Sequence, residues 1–338
     1  SIEGLRELGV IVKVLTGDNE IVTRKICKDV GIPVSKILLG TDIERMSDQQ
    51  LSSIIVEVSI LAKLSPIQKQ RVVKLLQDQG HTVGFMGDGI NDAAALHQAD
   101  VGISVDSAVD IAKESADIIL LEKDLMVLRE GVIYGRRTFG NIIKYIKMTA
   151  SSNFGNMFSM LGASVFLPFL PMLPVQLLSQ NLLYDISQIS IPWDRMDEEF
   201  LKVPKKWEAS SIQRFMMFIG PISSIFDYAT FALMFFFFKA NSLEDQSLFQ
   251  SGWFVEGLLS QTLIVHMIRT RKMPFFQSWA AAPVVALTST IMLFGIIIPF
   301  TPLATALHLQ PLPFIYFPFL IAILICYCVL VPVSYTHL

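Results

Sequence analysis

The chain is poor in three things, and each shortage excludes a class of protein. It has only three cysteines, Cys27, Cys326 and Cys328. So few, so spaced, give no disulfide framework, and each reads as a small buried hydrophobe. Charged residues make up 17% and nearly cancel, leaving a net charge of −3. No basic stripe marks a nucleic-acid surface. Between Met273 and Leu338 there is neither Lys nor Arg, which is foreign to an ordinary soluble domain. No Met opens the chain, and nothing after Ser1 resembles a signal peptide. Residues Ile2 to Gly9 read as the end of an amphipathic helix running into a strand. The sequence is therefore expected to be the C-terminal part of a longer polypeptide.

Apolar residues, by contrast, are in excess. They make up 52% of the chain, with a mean hydropathy of +0.52, too high for a soluble protein of this size. The excess is uneven, because residues 1–135 carry about half of the Lys and Arg. That shift predicts a soluble domain over 1–135, a membrane domain over 136–333 and a short polar tail, 334–338, to which no role is assigned. Within the first, Val10–Leu15, Val58–Leu64, Thr82–Met86, Val101–Val105 and Asp117–Leu121 read as short apolar strands. A helix through about Gly31 and another over Pro66–Gln79 alternate with them. This is the pattern of βαβ units, an α/β domain on a parallel sheet. Ligands of such sheets collect at the carboxyl ends of the strands.

After Asp124 one long helix turns apolar at Met148, and six apolar stretches follow near 148–167, 172–191, 215–238, 252–268, 280–300 and 313–333. Each approaches the ~20 residues that cross a bilayer, so a membrane domain of six transmembrane helices is expected. Arg136, Arg137, Lys144 and Lys147 precede the first span. Arg195, Lys202, Lys205, Lys206 and Arg214 follow the second, and Arg269, Arg271 and Lys272 follow the fourth. The other side has only Lys239. The positive-inside rule then puts the soluble domain and both cation-rich loops in the cytoplasm.

Two motifs fall at strand ends. Gly87-Asp88-Gly89-Ile90-Asn91-Asp92 precedes a helix at Ala93. Its two carboxylates, four apart in a glycine-rich turn, suit Mg²⁺ beside a phosphoryl group. Thr16-Gly17-Asp18-Asn19 offers a hydroxyl and amides to phosphate oxygens. Lys69, three residues after Pro66, can neutralise a phosphoaspartate, although a lone helical Lys is ordinarily solvated.

These residues, with Lys63-Leu64-Ser65-Pro66-Ile67-Gln68-Lys69 and Ala99-Asp100-Val101-Gly102-Ile103, resemble the phosphorylation domain of P-type ATPases, a haloacid-dehalogenase-like fold. Trp193 through Leu201 and Lys206 through Ile212 resemble the magnesium-transporting branch. The resemblance implies that Asp88 and Asp92 bind the catalytic Mg²⁺ that accompanies ATP. It implies that Thr16 and Lys69 contact the phosphoryl group, and that Gly17, Asp18 and Asn91 support the site. It also implies Mg²⁺ import across the plasma membrane (the inner membrane of a bacterium) as a multi-pass protein in contact with lipid. The remainder of the polypeptide, N-terminal to this chain, is an implied partner. The family's phosphorylated Asp, in an Asp-Lys-Thr-Gly-Thr motif, does not occur in these 338 residues, so alone they are expected to be inactive. A pump for another cation and a membrane-anchored phosphatase of the same fold are the rival readings.

Asp185, one turn after Asn181 in an apolar stretch, is expected to be a buried intramembrane carboxylate. Such a group costs about 2.5–3.5 kcal/mol at the bilayer centre and usually marks an ion path. Asn153 and Asn156 share a face of the preceding span. By the resemblance, Asn153, Asn156, Asn181 and Asp185 match ion-coordinating positions. One carboxylate with amides suits Mg²⁺, which keeps its waters. Asp227, Glu256 and Gln261 are read as structural, Glu256 nearer the outer interface, and His266 as interfacial.

Overall fold

The computed structural model describes every residue except Ser35, Lys123, Arg271, His337 and Leu338, and describes Ser334, Tyr335 and Thr336 by their backbone only. Arg271, one of the expected loop cations, thus lies outside the described residues, as does the end of the expected tail. The chain divides into two compact units. One comprises 1–135 with 202–204, the other 136–201 with 205–338.

The first unit runs α1 (Ile2–Glu7), β1 (Val14–Leu15), α2 (Glu20–Asp29), β2 (Ile37–Leu39), α3 (Gly40–Arg45), α4 (Asp48–Ile55), β3 (Ile60–Ala62), α5 (Pro66–Asp78), β4 (Gly84–Met86), α6 (Ala93–Gln98), β5 (Val101–Val105), α7 (Asp110–Glu114) and β6 (Ile118–Leu120). All strand pairs are parallel. Instead of one sheet there are two of three strands, β1-β3-β2 and β4-β5-β6. The two central strands are the most enclosed: Ile60, Leu61 and Ala62 of β3 are buried, as are Gly102, Ile103 and Ser104 of β5. β1 and β4 are each paired on one side only, so each leaves a row of backbone groups unpaired by a neighbouring strand. Leu15 and Val83 pack into the cores of both sheets.

Local chemistry explains the starts of α4 and α5. Ser47 and Ser65 accept from the third helical amide, while Gln50 and Gln68 reach back to the cap amide. Both are capping boxes, and Pro66 adds a preset φ at the first helical position. Lys13 donates to the carbonyls of Ile55, Val56 and Val58 at 2.9, 2.7 and 2.6 Å. A cation over the last carbonyls of α4 ties that helix to the approach to β1. Burial lowers the Lys13 ammonium below its ordinary value.

The remaining helices are α8 (Leu125–Ala163), α9 (Pro174–Gln188), α10 (Glu198–Lys202), α11 (Ala209–Ala232), α12 (Gln246–Ile268), α13 (Ala282–Ile297), α14 (Leu303–Ala306) and α15 (Tyr316–Thr336). In the second unit α12 is central, packed against α9, α11, α13 and α15. Helices do occur where the six spans are expected. By length and composition, though, three segments among the described residues qualify to cross a membrane: Ala209–Phe237, Ala282–Phe300 and Tyr316–Val333. The other three differ for a physical reason. α9 has 15 residues, and the inner faces of α9 and α12 carry Gln176, Gln180, Gln250, Glu256, Gln261 and His266, all buried. A helix enclosed by other helices meets protein rather than lipid and can hold polar side chains that bond across the contact. α15 continues through Thr336, so the expected polar tail begins inside a helix.

Candidate functional site

At the carboxyl end of β4, Gly87 and Asp88 enter a one-turn 3₁₀ helix, Ile90–Asp92, that passes into α6. Asp92 Oδ2 accepts the Gly89 amide at 3.2 Å, and its Oδ1 takes Lys69 Nζ at 2.7 Å. Lys69 is 7% exposed. The solvated position that is the default for a helical Lys is therefore not where it lies, because α5 turns it toward the Asp92 carboxylate. Gly87 permits this turn. A Cβ there would stand 2.5 to 2.9 Å from the Asp92 side chain. Gly87→Ala should accordingly push Asp92 away and break the pair with Lys69. The change should lower stability by roughly the 1–3 kcal/mol of an overpacked site, read by thermal denaturation against the parent.

Asp88 is exposed and lines an open cleft of about 310 Å³ with Met86, Gly87, Val105, Leu120, Asp124 and Leu125. Asn91 is exposed beside it. At the end of β1, the Thr16 hydroxyl donates to Asp18 at 3.1 Å and accepts the Asp18 amide at 3.1 Å. Gly17 and Asp18 are exposed. This turn is bound to the approach to α5, since Lys63 and Leu64 donate their amides to the carbonyls of Asp18 and Thr16. Lys63 has φ +54, a strained value for a residue with a Cβ. Thr16 is therefore held in the turn after β1, Lys69 in the first turns of α5 after β3, and Asp92 in the 3₁₀ turn after β4. Hard oxygen donors predominate in the β4 turn, which is the donor chemistry Mg²⁺ prefers.

The second cluster departs from expectation. Asp185 is exposed, as is Asn153, and Asn181 is half-buried. α9 and α8 do face each other, with Thr149 donating to Gln188 at 3.0 Å. The inward positions of α9 are filled by Gln180, Tyr184 and Ser187, so Asp185, next to Tyr184 on the helix, is rotated outward. Asn156 is buried and takes Gln261 Nε2 at 2.7 Å. Asn156 is thus bonded to α12, and Asp185 stands on the exposed side of α9.

Sequence reasoning underrated the buried groups of this unit. Glu256 lies in the middle of α12, wholly enclosed, and Asp227 accepts Ser159 at 2.6 Å and Trp253 at 2.9 Å. His266 is buried, 2.9 Å from the Thr288 hydroxyl. Reading also missed Asp194, 2% exposed, which takes Lys144 at 2.8 Å and Arg269 at 2.9 Å on one oxygen and the Ala281 amide on the other. Two of the cations that orient the spans are therefore paired inside the fold. Burial alone would raise the Asp194 carboxyl, but Lys144 and Arg269 outweigh it and hold it below its ordinary value. Lys144 is lowered, burial exceeding what Asp194 returns. The Trp-Asp-Arg run that carried a family resemblance is the signal that pointed to Asp194.

Two family profiles match: "haloacid dehalogenase-like hydrolase" over residues 1–100 and "Cation transporting ATPase, C-terminus" over residues 169–334. The chain is 64% identical over 328 residues to the "Magnesium-transporting ATPase, P-type 1" of Salmonella typhimurium strain LT2, covering 97% of this chain and 36% of that protein. It is 59% identical to the protein of that name from Escherichia coli K12, covering 98% and 37%. A "Calcium-transporting ATPase" of Bacillus subtilis is 33% identical over 206 residues, covering 60% and 23%. The chain thus spans little more than a third of the length of the relatives it matches best among these.

Proposed function

From its similarity to magnesium-transporting P-type ATPases and to the C-terminus of cation-transporting ATPases, we propose that the polypeptide containing this chain is of that family and moves Mg²⁺ across a membrane, driven by ATP through a phosphoaspartate. The observation that carries the reading is the buried Lys69–Asp92 pair at 2.7 Å, formed by the segments that follow β3 and β4, with Thr16 in the turn that ends β1. That is where a doubly wound sheet binds its ligands.

β1 and β4, each unpaired on one side, are suited to receive a further parallel strand. We place there the strand that bears the phosphorylated Asp in the complete polypeptide. Asp88, Asn91 and Asp92 would hold the catalytic Mg²⁺, which neutralises charge on the transferring phosphoryl group when bound. The Thr16 hydroxyl and the amides of Gly17 and Asp18 orient phosphoryl oxygens. Lys69, paired with Asp92, places a positive charge in a nearly water-free position where electrostatic stabilisation is strongest. Without the phosphorylated Asp these 338 residues have no nucleophile for the reaction.

For the transported ion, Asn156, Asn181 and Asp185 remain the proposed oxygen donors. The exposure of Asp185 and Asn153 supports a site completed by parts of the polypeptide outside this chain. Six spans, with the dehalogenase-like domain on the cytoplasmic side of the plasma membrane, follow from the cation-rich loops. Import into the cytoplasm is the direction the family resemblance implies. In a host lacking other Mg²⁺ uptake, Asp185→Asn should abolish growth at limiting Mg²⁺ and ion-stimulated turnover while leaving ATP binding intact. Parental growth of this variant would put the transport site elsewhere. Stimulation of the parent by Ca²⁺ or K⁺, and never by Mg²⁺ beyond the catalytic requirement, would leave a P-type pump for another cation.

A further inference from the structure

Asp227 on α11 and Glu256 on α12 are 5% and 0% exposed, and Trp253, one helical turn before Glu256 on α12, donates to Asp227 at 2.9 Å, which puts both carboxyls at the same helix contact. They differ in how they are served. Each Asp227 oxygen has a donor, Ser159 Oγ on Oδ2 and Trp253 Nε1 on Oδ1. Neither Glu256 oxygen has a hydrogen-bond partner, and one turn beyond Asp227 the buried Thr230 hydroxyl has none either. Ser260, beside Glu256, gives its proton to the Gly257 carbonyl. The other titratable groups facing the pair are Tyr228 on α11 and Tyr316 and Tyr327 on α15. Tyr316 donates to the Gly252 carbonyl at 2.7 Å and Tyr228 to that of Phe158 at 3.0 Å. Among the described residues, no Lys, Arg or His forms an ion pair with either carboxyl.

We propose that Asp227 and Glu256 form a proton-binding site, in which a carboxylic acid on Glu256 donates to an ionised Asp227, using none of Asn156, Asn181 and Asp185. Two carboxylates in one enclosed space with no cation between them cannot both ionise. The proton resides on Glu256 because the donors that stabilise an anion, Ser159 and Trp253, are aimed at Asp227. Each Asp227 oxygen keeps a second lone pair, so the acid proton of Glu256 finds an acceptor. One proton satisfies both groups and leaves one buried charge where there would be two. A divalent cation fits poorly. Among the described residues no three His, Cys, Asp or Glu side chains converge as metal ligands, and both Asp227 oxygens are already engaged.

The test is infrared difference spectroscopy on the complete polypeptide in lipid nanodiscs near neutral pH. Parent minus Glu256→Gln should show one carboxylic-acid carbonyl band that moves to lower frequency in D₂O. Glu256→Gln should melt close to the parent, because the Gln amide can donate to Asp227 in place of the acid. Asp227→Asn should keep the band and shift it upward, as the acid loses a charged acceptor. That shift tests the pair even if Glu256→Gln does not fold. A folded Glu256→Gln with no band difference from the parent overturns the proposal, as does an Asp227→Asn band that stays in place. A band removed by Mg²⁺ or Na⁺ at constant pH also overturns it, since the pair is then a cation site.

Discussion

Asp88→Asn in the complete polypeptide is expected to lower Mg²⁺-dependent turnover by at least about a hundred-fold, the scale on which removing one stabilising group from a charged transition state acts. Asp88 is exposed on the cleft at the end of β4, so the substitution removes a charge without disturbing a core. The protein should fold and melt like the parent. Asp92→Asn should fail differently. It also strips the partner from Lys69, which is buried, so a fall in stability should accompany the fall in rate. Rapid-quench measurement of phosphoenzyme formation and decay, paired with thermal denaturation, separates the two. A parental rate for a folded Asp88→Asn would remove that carboxylate from the site.

Asp194→Ala should be the most destabilising single change in the helical unit. It leaves the buried charges of Lys144 and Arg269 and the Ala281 amide without their shared acceptor, at a cost of about 3–5 kcal/mol for breaking a buried pair. Arg269 also donates to Ser278 and to the Trp279 carbonyl, so its guanidinium cannot swing out to water without abandoning α13's approach. Replacing all three by apolar residues of similar volume, Lys144→Met, Asp194→Leu and Arg269→Met, should recover most of the loss. Because the folded carboxyl is held below its ordinary value, the network's contribution is complete above the unfolded value, about pH 4. It is lost as pH falls through the lower folded value. Denaturation in detergent at neutral pH and at pH ~3 should show the parent's advantage over Asp194→Ala shrinking in acid. An advantage independent of pH would mean that packing, not charge, makes the site.

Much of the phosphate-handling site was legible because its chemistry is local. Gly87 through Asp92 spell a turn that only glycine allows so close to a carboxylate, and Ser65-Pro66 with Gln68 spell the start of α5. Strand alternation with helices predicted the parallel pairing. β2, α3 and α4 went unread, since Ile37–Leu39 is too short for its periodicity to stand out, and Lys13 gave no sign that it would bind the carbonyls at the end of α4.

The helical unit shows where sequence reading stops. Hydropathy located the helices because an apolar side chain carries its preference with it wherever the chain goes. It misjudged the polar groups, because their cost depends on the neighbour rather than on the residue. Asp185 lies in an apolar stretch and is exposed, while Asp227, Glu256, Asp194 and His266, which read as structural, interfacial or a family mark, are enclosed. A helix turns by about 100° per residue, so which of Tyr184 and Asp185 faces inward follows from how α9 meets α8, α12 and α13. The sequence by itself determined the strand-end motifs and the apolar excess of the second half, and it carried the resemblance to P-type ATPases. Only the tertiary structure decided which carboxylates are paired, which are exposed and which share an enclosed space, since burial and partnership arise between helices distant in the chain.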